Sequence, residues 1–247
     1  MQKDKVAKVR AYAVFAIKMM GDDARSAMPQ VIDVLKKDKD DEVRAIAANY
    51  LGGFGKDAKS GVPALAAALA DKEVGPHAAA ALGKIGADAK EAIPQLTKAL
   101  LDDDVRSSAA LALSRIGKAA LPALTKMVTN KDKEVRIEVC LALGNMGKDA
   151  VAPLRTALKD TNEDVRRHAL VSLAKLGPDA KDAVADVVAI LGKDKSDDIR
   201  IRCAEALGKV GPSAKSAIKA LQKATKDKNE KVAQAARNAL DEIRKKD

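Results

Sequence analysis

Residues 102–117 read Asp102-Asp103-Asp104-Val105-Arg106-Ser107-Ser108-Ala109-Ala110-Leu111-Ala112-Leu113-Ser114-Arg115-Ile116-Gly117. Asp102 is a residue type that caps a helix, because its carboxylate accepts from free backbone N–H groups. Asp104 follows in the first turn, where an acid suits the helix dipole. Gly117 marks the stop, where a left-handed residue is needed and glycine takes it without strain. The stretch therefore predicts one helix of about 14 residues, here termed helix A.

The same columns run the length of the chain. The Val-Arg pair recurs at Val9-Arg10, Val43-Arg44, Val105-Arg106, Val135-Arg136 and Val165-Arg166; Ile199-Arg200, Val74-Gly75 and Val232-Ala233 fill the remaining registers. Eight residues on stand Ile17, Leu51, Leu82, Leu113, Leu143, Leu173, Leu207 and Leu240, and twelve residues on stands a glycine in each of the first seven copies. Three residues before the Val stand Asp40, Asp71, Asp102, Asp132, Asn162, Ser196 and Asn229, all cap residues. A second cap series, Asp23, Asp57, Asp88, Asp149, Asp179 and Ser213, predicts the start of a helix B in each repeat. Met28-Pro29, Val62-Pro63, Ile93-Pro94 and Leu121-Pro122 put proline in its first turn, where no N–H bond is lost. Repeats 4 and 5 omit three residues here, which predicts B helices about one turn shorter.

The result is an all-α architecture, an α-solenoid (superhelix) of about seven and a half two-helix repeats without strands. Seven A–B pairs and a lone final helix A make about 15 helices. A single domain over 1–247 is expected, with repeats starting near 4, 40, 71, 102, 132, 162 and 196 and a cap helix over 230–245. Composition agrees: there is no Trp, and Tyr12, Phe15, Tyr50 and Phe54 are the only aromatics, read here as core fillers of the first two repeats. Cys140 and Cys203 fall in apolar helical stretches and read as buried small hydrophobes in a reduced compartment. No signal peptide or membrane-length apolar run interrupts the pattern, so a cytoplasmic monomer with no membrane insertion is expected.

The string D-x-x-V-R-x-x-A-x-x-A-L-G-x-I-G, matched by Asp102 to Arg106, Leu113, Ile116 and Gly117 and again by Ile199-Arg200, Leu207-Gly208 and Val210-Gly211, resembles the HEAT-like repeats of the phycobilisome-lyase type, the short branch of the HEAT superfamily. The resemblance implies the solenoid and is nearly silent on function, since this repeat serves scaffolds, lyase subunits and enzymes alike. The deoxyhypusine hydroxylases, which are similar, use His-Glu pairs for iron. Here His77 precedes Ala78 and His168 precedes Ala169, three repeats apart, so both read as surface histidines. Leu51-Gly52-Gly53-Phe54-Gly55 is a helix end in register, not a phosphate loop. No Ser-His-Asp or Cys-His set can be assembled, so no enzyme, metal or cofactor is expected.

The Arg column reads as a structural ladder, each Arg pairing with acids at the adjacent helix start; Gly75, followed by Pro76, breaks it and predicts a late or distorted helix A in repeat 3. In HEAT-type solenoids the B helices line the concave face. The outward positions there are Gln95, Thr97 and Lys98, then Thr125 and Lys126, then Arg155 and Thr156. A groove of Thr, Lys, Arg and Gln could hold a partner protein or an extended acidic peptide, while the absence of a large apolar stripe argues against a greasy partner helix. The expected function is a non-enzymatic protein-interaction scaffold. The alternatives are a lyase-type or other enzyme subunit and association with nucleic acid through the basic C-terminal end. Residues 165–247 carry 19 basic and 12 acidic side chains out of a whole-chain balance of +10.

Overall fold

The computed structural model describes residues 6–18 and 21–245. The first repeat's start near residue 4, the side chain of Asp23 and Lys246 of the basic end lie outside the described residues. Among those described there is no strand, and the α-helices are, in chain order, α1 (Ala7–Lys18), α2 (Met28–Lys37), α3 (Asp41–Gly53), α4 (Val62–Ala68), α5 (Gly75–Ile85), α6 (Ile93–Ala99), α7 (Arg106–Ile116), α8 (Leu121–Met127), α9 (Lys133–Leu143), α10 (Val151–Ala157), α11 (Glu163–Leu176), α12 (Val184–Leu191), α13 (Asp197–Val210), α14 (Ile218–Ala224) and α15 (Glu230–Arg244). Odd numbers are A helices and even numbers B helices. The chain forms two compact units, one running to Ala123 and the other starting at Leu124, within α8.

Inside each unit every A helix packs on the next A helix, and α2, α4, α6, α10, α12 and α14 each pack on the A helix that follows. The columns explain why. Val43, Val74 and Val105 in the first unit, and Val135, Val165, Ile199 and Val232 in the second, are fully or almost fully buried. So are Leu51, Leu82, Leu113, Leu143, Leu173 and Leu207. Neighbouring A helices come close because a second small-residue column faces them: a Cβ on Gly83 would stand 3.0 Å from the Cα of Ala112, and one on Gly144 would stand 2.9 Å from the Cβ of Ser172. Ser172 Oγ then donates to Cys140 O at 2.8 Å, tying α11 to α9.

The helix stops are glycine corners with a difference from the expected left-handed turn. Gly86 has φ 70° but ψ −136°, and Gly117 has φ 82° and ψ −143°. The φ demands glycine, while the ψ sends the chain sideways into a 3-10 helix. These 3-10 segments, such as Gly55–Gly61 and Gly86–Ala92, stand between A and B helices and correct two expectations. The second cap series does not cap helix B. The first N–H groups of B bond back to the 3-10 segment instead, as Val62 does to Lys59 O and Ile93 to Lys90 O, and need no side-chain acceptor. The three residues missing from repeats 4 and 5 come out of the 3-10 segment, four residues long at Gly117–Ala120 and Gly147–Ala150; α8 and α10 keep seven residues, as α4 and α6 do.

The first cap series holds in repeats 2, 5, 6, 7 and the final helix, where Asp40, Asp132, Asn162, Ser196 and Asn229 accept from the N–H groups of the first turn. In repeats 3 and 4, Asp71 and Asp102 cap a separate turn, and α5 and α7 start late. Repeat 3 was expected to do so. There Pro76 lacks an N–H, and a Cβ at Gly75 would lie 2.8 Å from Val105 Cγ2 and 3.0 Å from Leu69 O. In both repeats the residue two before the cap is a buried leucine, Leu69 or Leu100, rather than an acid.

The Arg column is a ladder. Arg10 forks onto Asp38 with two bonds of 2.8 Å, and Arg44 reaches Asp71 at 2.6 Å. In the second unit Arg136 grips Asp160, Arg166 grips Asp194 and Arg200 grips Asp227, with leading contacts of 2.6, 3.0 and 2.9 Å. Four of these acids sit two residues before the cap and also accept the cap residue's own N–H. The arginine of the following helix donates to the backbone carbonyl of the same residue, as Arg166 does to Asp160 and Arg200 to Asp194. Each rung thus locks the loop that starts the next one.

Two outcomes follow from this packing. Leu113→Ala should cost about 2–5 kcal/mol in chemical unfolding, and Leu240→Ala, on the terminal helix and 6% exposed, should cost less; equal losses would contradict the layered core. The guanidiniums of Arg10 and Arg200 hold the Asp38 and Asp227 carboxyls below their ordinary 3.8 despite partial burial. A depressed folded pKa stabilises above the unfolded value and is lost as pH falls through the folded one. Thermal unfolding should therefore be steady near neutrality and fall away below about pH 4. Asp227→Asn should lower neutral-pH stability by about 1.5–3 kcal/mol and make that acid decline shallower.

Candidate partner-binding face

Leu96, Leu124 and Leu154 are fully buried and set the rotation of α6, α8 and α10. A residue two positions further is turned by about 200°, so Lys98, Lys126 and Thr156 point away from the core. All three are exposed, as are Gln95, Thr125 and Arg155, while Thr97 is half-buried. Gln95, Thr97 and Lys98 lie on α6 in the first unit; Thr125, Lys126, Arg155 and Thr156 lie on α8 and α10 in the second. Two of the seven are engaged locally. The Thr97 hydroxyl donates to Ile93 O at 2.7 Å, one turn back. Arg155 pairs with Asp186 of α12 at 2.5 Å, so it bridges successive B helices. Thr156 also lines an open cleft with Thr129, Lys131, Lys159 and Thr161 at the loop edge of the second unit.

Other side chains that carry chemistry have structural partners. His77 is exposed, with Nδ1 3.0 Å from Asn49 Nδ2. His168 Nδ1 lies 2.8 Å from Asp164 O, and since a carbonyl only accepts, that nitrogen carries the proton. No group of three or more His, Cys, Asp or Glu side chains among the described residues is disposed to hold a metal ion. None of the described helices is long and apolar enough to cross a membrane.

The aromatic reading needs correction. Tyr50 is buried, donates to Ala24 O at 3.1 Å and meets Phe54 edge to face. Tyr12 and Phe15, however, are 70% and 55% exposed on α1, beside exposed Val6 and Val9. Helix α1 is the first described helix, and none of the described elements covers its outer side. The outer surface of the A helices also shows Leu111 in the first unit and Leu141 and Val171 in the second, all exposed, so it is less polar than expected. These leucines and valines stand six residues after the Val column, a register that the core columns concealed. Lys193 and Lys195, which flank the rung acid Asp194 and share a groove with the lysines of the basic end, were also missed. Their signal in the sequence is the repeated Lys-Asp-Lys.

Burial pushes the Cys140 thiol up to about 12, with Asp160 adding to the effect and Arg136 opposing it, and burial likewise raises Cys203. Both thiols therefore stay protonated and shielded. A thiol reagent at neutral pH should leave the native protein untouched and titrate both cysteines after denaturation; rapid labelling of the folded protein would contradict this burial.

The stacked helix pairs define a repeat solenoid, a class of scaffold whose structural columns leave side chains free on its surfaces. The chain belongs to the HEAT-repeat family, whose model matches residues 1–76, 28–114, 62–136, 102–174, 121–208 and 184–247. Among solved structures it is similar to Kap121p bound to Ste12p, at 15% identity and TM-score 0.69 over 98% of this chain and 32% of that one. It is also similar to an engineered protein, at 22% identity and TM-score 0.51 over 98% and 76%. A third likeness is to the CpcE–CpcF complex of phycocyanin lyase from Nostoc, at 24% identity and TM-score 0.46 over 87% and 94%. These likenesses concern the fold alone. Among curated proteins no sequence matches this one.

Proposed function

We propose that the chain is a non-enzymatic protein-interaction scaffold that takes an acidic segment of a partner on its B-helix face. The observation that carries this reading is a repeated register, shown by exposed Lys126 in the second unit and exposed Lys98 in the first, each two residues past a buried leucine and in no ion pair with any described residue. Presentation from packed helices lowers the ordering cost of binding, and exposed Thr125 and Thr156 of the second unit, like Gln95 on α6 of the first, add hydrogen-bonding groups for an extended backbone. Arg155 is spent on Asp186 and contributes by holding α10 to α12 rather than as a free cation. Kap121p with Ste12p bound is a structure in which a protein of this fold holds a partner, and the proposal extends that role to this chain.

The test is selection of peptides from a displayed library on the immobilised protein, followed by affinity measurement by fluorescence anisotropy. Selected peptides should be rich in Asp and Glu, and the double variant Lys98→Glu/Lys126→Glu should weaken them at least about tenfold, a cost of about 1.4 kcal/mol. Peptides that bind the double variant as well as the parent would place the site elsewhere.

A further inference from the structure

The second unit holds a groove of about 700 Å³ between the loop after α12, the end of α14 and Arg200 of α13. Its rim carries Lys193, Lys195, Lys223, Lys226 and Lys228, all exposed. The only acids lining it are Asp194 and Asp227, and both are taken by the ladder, Asp194 by Arg166 and Asp227 by Arg200. None of the five lysines forms an ion pair with any described residue. The negative charge in the groove is thus already matched by arginine, and the lysine charge is left over.

We propose that this groove binds the phosphate backbone of a nucleic acid without reading its bases, through Lys193, Lys195, Lys223, Lys226 and Lys228. Side-chain chemistry selects this partner. Lys is a point charge that meets phosphate oxygens from many directions, and phosphate contacts position a nucleic acid while base-edge contacts specify it. The one arginine in the groove has its fork occupied by Asp227 and Asp197, and no aromatic side chain lines it, so it offers neither a guanine-reading fork nor a stacking platform. The groove also lacks the aromatic and Met side chains that anchor the core of protein–protein interfaces. The ladder also prearranges the site, because Lys193 and Lys195 flank one rung acid, Lys226 and Lys228 flank the next, and Arg200 binds both residues, the Asp194 carbonyl and the Asp227 carboxylate. A few of these lysines also lie near helix C-termini, which favours cations, but Lys195 and Lys228 lie beyond the helices and gain little from that.

The proposal stands apart from the B-helix face and is tested separately, by fluorescence anisotropy of labelled duplex and single-stranded DNA of several sequences across a salt series. The parent should bind every sequence alike at about 50 mM salt, with log K against log salt falling at about −0.9 per phosphate neutralised on duplex, a slope of about −4 to −5 for five lysines. Lys193→Gln/Lys195→Gln and Lys226→Gln/Lys228→Gln, each checked for an unchanged melting temperature, should each reduce the slope by about two. Lys98→Glu/Lys126→Glu should leave it unchanged. No binding at low salt would overturn the proposal, as would a slope indifferent to the groove variants. Competition by polyglutamate as effective as unlabelled DNA would overturn it in favour of an acidic protein.

Discussion

An arginine on helix A, held by an aspartate at the entrance of the next repeat, is the contact through which repeats 1, 2, 5, 6 and 7 position their successors. The aspartate carboxylate faces two donors at once, the guanidinium and the N–H of the cap residue, and its carbonyl takes a third from the following arginine. A loop so fully bonded cannot drift, and the helix that begins there inherits its direction. The pairs are mostly shielded, with side chains at Arg200 and Asp227 only 10% and 16% exposed, so solvent weakens them far less than an ordinary surface pair.

Small residues finish what the ladder starts. Once the loops set the spacing, the A helices of each unit close to backbone distance wherever Gly faces Ala or Ser, as at Gly83 and Ala112 or Gly144 and Ser172. The glycine corners and 3-10 segments then carry the chain across to helix B. The B helices are short, mostly seven residues, too short to persist alone, and Leu96, Leu124 and Leu154 hold them in place. Nearly every residue type that would suggest chemistry elsewhere, arginine, glycine, proline or cysteine, is absorbed by this framework.

Function is left to what the framework does not use. On the B helices that is a sparse set of exposed Lys, Gln and Thr. At the loop edge of the second unit it is a denser set of lysines whose neighbouring acids are already neutralised. The two surfaces differ in physical character, one adaptable and hydrogen-bonding, the other a concentrated charge.

The sequence alone determined the repeat, the helix order, the Val and Leu columns and the kind of partner, an acid at the adjacent helix start, that the arginine column takes. All of these rest on local periodicity and on residue types with one good conformation or one good partner. Gly75-Pro76 announced its late helix for the same reason. Only the tertiary structure decided the rest. The late start of α7 follows from where Leu100 is buried, which residues 102–117 do not reveal by themselves. The shortening of the 3-10 segment in place of helix B depends on backbone N–H groups finding carbonyls across a corner. Exposure of Tyr12 and Phe15 turns on what covers α1, and the lysine groove exists because Asp194 and Asp227 face arginine rather than lysine. Pairing and burial are set by neighbours distant in the chain, so they became visible only when those neighbours were in place.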